Sequence, residues 1–156
     1  MTTDALKFFQ AYIKEMISLG GENLPKSISA GLGANLAKLY KKKGINNLEN
    51  GLKQSYSVLG ADMNIEHLND TEFEITIDHK DFFCPIGGEY NPDDAELIQK
   101  SICIPFTTGF LNAIDPDSRF DGHIEQCILT NKVSCCKYHL IREKKDQNSQ
   151  ILMPEA

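Results

Sequence analysis

No stretch of this 156-residue sequence approaches the roughly 20 consecutive apolar residues of a membrane helix, and its N-terminus lacks the basic-then-apolar pattern of a signal peptide. The first helical segment carries Lys7, Lys14 and Glu15 among its apolar residues and is therefore amphipathic. Positive charge is also scarce: 16 Lys and Arg stand against 22 Asp and Glu, for a net charge of −6 and a pI of about 5.2. A nucleic-acid-binding domain is usually basic, so direct binding to nucleic acid is not expected. The short run Lys41-Lys42-Lys43 reads as the solvated end of a helix, favoured there by the helix dipole. There is no G-x-S-x-G elbow, phosphate loop, H-E-x-x-H or dinucleotide fingerprint, so no catalytic residue is assigned. Cysteine is missing from the first 83 residues, whereas the rest of the chain holds five. The expectation is a cytoplasmic protein with reduced thiols. An odd number of cysteines also suits a disulfide framework poorly.

An apolar fraction of 41% and a charged fraction of 24% are those of a globular protein. Residues 4–19 place Leu6, Phe9, Ile13, Met16 and Ile17 at helical spacing, ended by Gly20-Gly21. A second helix over 26–43 carries Ile28, Leu32, Leu36, Leu39 and Tyr40; a third over 45–59 carries Ile45, Leu48, Leu52 and Leu59. Glycine inside a helix costs roughly 1 kcal/mol against alanine. The small patch Ala30, Gly31, Gly33 and Ala34 is therefore read as close packing against a neighbouring backbone, with a bound ligand as the alternative. The period then changes to strict alternation in Glu72–Asp78, a half-buried strand, with 63–68 as its partner through Asn69-Asp70. Asn91-Pro92-Asp93-Asp94 reads as a helix start, and that helix runs to about Ile114 with a kink or split at Pro105. Strands follow at about 122–130 and 133–142. The fold class expected is α+β: N-terminal helices and antiparallel hairpins flanking a long kinked helix, in one domain over 1–143. Residues 144–156 read as a polar, frayed tail.

The cysteines fall where this pattern predicts a helix and a hairpin. A two-residue turn at Asn131-Lys132, with Asn in the left-handed conformation, would set Cys127 opposite Cys136, Gln126 opposite Lys137 and Glu125 opposite Tyr138. Alternation then places His123, Glu125 and Cys127 on one face, joined by Cys136; a one-residue slip would substitute Cys135. His139 falls on the face opposite Cys136. Cys103 on the kinked helix, or Cys84 in Cys84-Pro85-Ile86-Gly87-Gly88, is available as a further ligand. Thiolate, imidazole and carboxylate together suit Zn²⁺, whereas an iron–sulfur cluster asks for thiolates alone. The competing reading is that reduced cysteines are small core hydrophobes. His67 and His79, at strand ends, are expected on the surface.

With these residues in place, the chain resembles the 4-vinyl-reductase domain family, whose fold is shared with TRAPP-type trafficking subunits. The segments concerned are Cys103 followed by Gly109-Phe110-Leu111, and Glu125-Gln126-Cys127 followed by Cys135-Cys136-Lys137-Tyr138-His139-Leu140. Cys84-Pro85-Ile86-Gly87, Asn91-Pro92 and Ser101-Ile102-Cys103-Ile104-Pro105-Phe106 also look like the related methanogen-type sensory output domain. The resemblance implies a zinc held by Cys103, Glu125, Cys127 and Cys136, with Cys135 competing for one family position. It also implies a pocket for a small apolar or aromatic, hydrocarbon-like molecule beside the metal. Phe106, Phe110, Leu111, Leu32 and Leu36 are the expected lining. The function implied is a ligand-sensing module, acting as a homodimer or on a signalling or transcription partner. An iron–sulfur or thiol redox sensor is the alternative, and a TRAPP-like assembly subunit without ligand a further one.

Overall fold

The computed structural model describes residues 3–79 and 82–145, without the side chains of Thr3 and Leu6. The helices α1 (Thr3–Gly20), α2 (Asn23–Lys42) and α3 (Leu48–Ser57) precede a hairpin of β1 (Asp62–His67) and β2 (Glu72–Asp78). Next come α4 (Pro92–Ile98), a π-helical turn (Gln99–Cys103) and α5 (Ile104–Ile114). The chain ends in β3 (Ser118–Gln126), the short α6 (Ile128–Asn131) and β4 (Cys135–Lys144). This is the α+β class and element order that the sequence predicts. The tail expected over 144–156 falls, from residue 146 on, outside the described residues.

The four strands form one antiparallel sheet in the order β1-β2-β4-β3. Alternation decides which face is covered: Phe73, Ile75 and Ile77 of β2 and Cys136, Tyr138 and Leu140 of β4 are buried on the helix side. Burying one such large apolar side chain contributes roughly 1.5–3 kcal/mol relative to exposure. The hairpin turn before β2 is held by Asn69, whose Oδ1 accepts from the Thr71 N–H at 2.9 Å and the Glu72 N–H at 2.9 Å.

The helical layer is built on a close crossing of α2 over α5. A Cβ added at Gly33 would collide with the Phe106 carbonyl oxygen and stand 2.9 Å from the Phe110 nitrogen. One at Gly109 would collide with the Ala30 carbonyl oxygen and stand 2.8 Å from the Ala30 Cα. Ala30 and Gly33 of the small-residue patch therefore serve backbone-to-backbone packing, as expected, whereas Gly31 faces open space. The consequence for α2 was not legible in the periodicity. The face that α2 turns inward is Pro25, Ser29, Gly33, Ala37 and Tyr40, and the apolar residues Leu24, Ile28, Leu32 and Leu39 are exposed.

Pro105 splits the fourth helix, as its missing N–H requires. The Ile104 N–H instead reaches back five residues to the Gln99 carbonyl, which makes the turn before it π-helical.

Two expectations need correction. The last strands are not joined by a two-residue turn at Asn131-Lys132. Ile128 and Leu129 are both buried, at 1% exposure each, and adjacent strand residues cannot both face one side. They coil into α6, the Cys127 carbonyl accepting from the Thr130 and Asn131 N–H groups, and Lys132 rather than Asn131 takes the left-handed conformation (φ 50°). The other correction is His79. It lies at 7% exposure, its N–H donating to the Ser134 carbonyl at 2.9 Å, whereas His67 is exposed as expected.

Candidate functional site

The helices and the covered face of the sheet leave a cavity of about 310 Å³ between them. Leu36 and Tyr40 of α2 and Tyr56 of α3 line one side, and Ile102, Cys103, Phe106 and Thr107 of the π turn and α5 line another. Tyr138 of β4 and Ile86 of the 84–88 loop close it. Burial orders this wall by depth. Thr107 (2%), Tyr138 (5%) and Tyr56 (8%) lie deep, whereas Val58 (72%) and Leu59 (44%), just past α3, form the mouth.

The deep polar groups are engaged with one another. Thr107 donates its hydroxyl to the Cys103 carbonyl at 2.8 Å and stands 3.1 Å from the Tyr56 hydroxyl. Tyr138 stands beside Tyr56 and the Cys103 thiol. Among the described residues no buried side-chain nitrogen or oxygen lacks a hydrogen-bond partner. Burial raises Tyr56 and Tyr138 above the ordinary phenol value and pushes the Cys103 thiol up to about 12. No Lys, Arg, His, Asp or Glu lines the wall, and burial disfavours the thiolate of its one cysteine.

Of the residues expected to line a pocket, Phe106 and Leu36 do so. Phe110 (1%) and Leu111 (0%) are core residues, with Phe110 packed edge-on against Tyr40 at 5.9 Å between centroids. Leu32 lies on the outside of α2, because the Gly33–Phe106 contact fixes the helix rotation. The deep tyrosines went unread in the sequence. Their signal was present, since Tyr56 follows Leu52 by one helical turn and Tyr138 alternates with Cys136 and Leu140 along β4.

The residues expected to hold a metal are divided by the sheet. Gln126 pairs with Lys137, as the sequence predicts, but a bulge at Glu125 reverses the parity of the strand beyond it. Cys127 therefore turns inward to the buried Cys136, while His123 and Glu125 stay outside. A hydrogen bond between the two thiols holds Cys127 below and Cys136 above the ordinary thiol value. Cys84 is buried in a loop closed by paired backbone bonds to Gly88 (2.9 and 2.8 Å), and desolvation raises its thiol. Cys135 faces outward and accepts from the Gln126 amide at 3.1 Å. Glu125 belongs to a surface cluster: its carboxylate lies 3.5 Å from His123 and 3.7 Å from His139, while His139 contacts Glu72 at 3.1 Å. The two imidazoles stack at 5.2 Å. Among the described residues, no group of three or more His, Cys, Asp or Glu is arranged to hold a metal ion. The outward His123, Glu125 and Cys135 are thus parted from Cys84, Cys103, Cys127 and Cys136, which neighbour one another on the covered side of the sheet.

No protein-family model and no curated protein sequence matches the chain. Among solved structures, the fold is similar to a trafficking protein particle complex subunit 3 from Naegleria fowleri, covalently bound to palmitic acid. The TM-score is 0.57 at 12% identity, over 91% of this chain and 96% of that one. The chain therefore has a TRAPP-like fold. No described helix is long and apolar enough to cross a membrane.

Proposed function

We propose that this chain is an assembly subunit: a small α+β scaffold that pairs with a like subunit through the outward faces of α1 and α2. The observation that carries the reading is the rotation of α2. Its small residues are turned into the fold, and its apolar stripe (Leu24, Ile28, Leu32 and Leu39) is turned out. On α1, Phe8 (74%), Tyr12 and Leu19 (81%) fall on one side of the helix. The other side is fixed to the fold by buried Ile13, by Gln10 donating to the Gly87 carbonyl (2.9 Å) and by Lys14 beside Asp94 (3.3 Å). Exposed apolar residues on two adjoining helices mark a protein interface rather than a solvated surface. The TRAPP-like fold agrees with a role in a complex.

The test uses the absence of cysteine from the first 83 residues. An Ile28→Cys variant should give a covalent dimer under mild oxidation, and a Glu66→Cys variant on the exposed face of the sheet should not. Equal cross-linking of both, or of neither, would contradict the proposed face.

A second reading is favoured by the cavity, which a subunit without ligand would not need. At about 310 Å³ it sits at the lower end of the range for small-molecule sites, roughly 300–1,000 Å³. The palmitic acid of the similar subunit supports a hydrocarbon chain as its occupant. Burial disfavours the thiolate of Cys103 in the cavity wall, which favours a chain held there without a covalent bond. Native mass spectrometry of the purified protein should show an added mass that denaturation removes. A mass that survives denaturation would indicate a thioester instead.

A further inference from the structure

We infer that the cavity selects single-headed hydrocarbons: the chain end that enters must be bare alkyl, and any polar head stays at the mouth. This deepens the reading of the cavity as a hydrocarbon site and rests on it. No Lys, Arg, His, Asp or Glu lines the wall, so a charged group carried inward meets no counter-charge. The paired Thr107 and Tyr56 hydroxyls at the deep end offer no substitute for one. Thr107 has committed its proton to the Cys103 carbonyl at 2.8 Å, and its oxygen stands 3.1 Å from the Tyr56 hydroxyl. A ligand group needing a hydrogen bond from that pair would have to break a bond between buried groups, which costs as much as it gains. A charge buried there without a partner is penalised far more heavily.

The mouth differs in kind. Val58 and Leu59 are exposed to water, so a carboxylate or hydroxyl beside them keeps its hydration while the chain behind it is buried. Orientation is therefore fixed, with the methyl end against Thr107 and Tyr138 and the head beside Leu59. A chain with a head at each end cannot satisfy both places.

The experiment is displacement of cis-parinaric acid from the full-length protein at pH 8 by dodecan-1-ol, dodecanoate and dodecanedioate. The inference predicts that the two single-headed chains compete within about tenfold of each other and that the diacid is at least about 100-fold weaker. Dodecanedioate competing within threefold of dodecanoate would overturn it, and would leave the cavity standing as a hydrocarbon site. Two cavity-blocking variants separate the two claims. Phe106→Trp fills the wall, and Leu59→Trp obstructs the exposed mouth with no cost to the core. Loss of probe binding in either variant supports the site. Full binding in folded Leu59→Trp, or no binding by wild type of any single-headed chain, would overturn the hydrocarbon reading and this inference with it.

Discussion

Two glycines two residues apart on α2 have opposite duties, and they test the packing of this molecule at the finest scale. A methyl group at Gly33 would meet Phe106 and Phe110 backbone, which cannot retreat, whereas Gly31 has nothing within 4 Å of its added Cβ. Gly33→Ala should destabilise by roughly 1–3 kcal/mol through overpacking. Gly31→Ala should stabilise by roughly 0.5–1 kcal/mol through helix propensity. Urea denaturation of both variants checks the pair, and equal effects would contradict the crossing described. A residue-scale pH effect belongs to His79. Burial lowers its folded-state pKa below 6.5, so the fold prefers the neutral imidazole. The stability it contributes is complete above the unfolded value and is lost as pH falls through 6.5 toward the folded value. The fall in urea midpoint between about pH 7.5 and 5.5 should be shallower in His79→Gln than in wild type. An unchanged slope would contradict the assigned burial.

Among the elements, the helix caps carry a comparable contrast. Asn47 caps α3 in full, its Oδ1 accepting from the Asn50 N–H at 3.1 Å. Asn91 stands where the sequence predicts the cap of α4, yet its amide donates to Asp94 at 3.1 Å and makes no cap bond. Asn47→Ala should therefore cost about 1 kcal/mol and Asn91→Ala clearly less. Because α3 leads to Val58 and Leu59, the first variant should also speed amide exchange at the cavity mouth; equal effects would contradict the cap assignment. Element identity was largely legible in the sequence because each period was long enough to read: 3.6 in α1 to α3, 2 in β2, and a proline break at Pro105. The last hairpin was not. Ile128-Leu129 reads as strand until its two adjacent apolar residues must be buried together, and the bulge at Glu125 has no signature in residue type. That single extra residue is what parts His123 and Glu125 from Cys127 and Cys136, which the alternation had placed on one face. The rotation of α2 was hidden for a different reason. Periodicity finds an apolar stripe but does not say whether the fold or a partner covers it, and here small residues took the inward face.

At the scale of the whole molecule, those features combine into one account. A close α2–α5 crossing turns small residues inward and leaves the apolar stripe of α2 exposed, the face proposed with that of α1 for a second subunit. Behind it lies a mainly apolar cavity with the Thr107–Tyr56 hydroxyl pair in its wall. The most direct test is sedimentation equilibrium of the wild-type chain beside a Leu19→Asp, Leu32→Asp double variant. Both positions are exposed, at 81% and 57%, so the variant should fold normally by circular dichroism. The account predicts a wild-type mass of twice 17.5 kDa and a variant mass of 17.5 kDa. A monomeric wild type, or a dimer that the two charges leave intact, would contradict it.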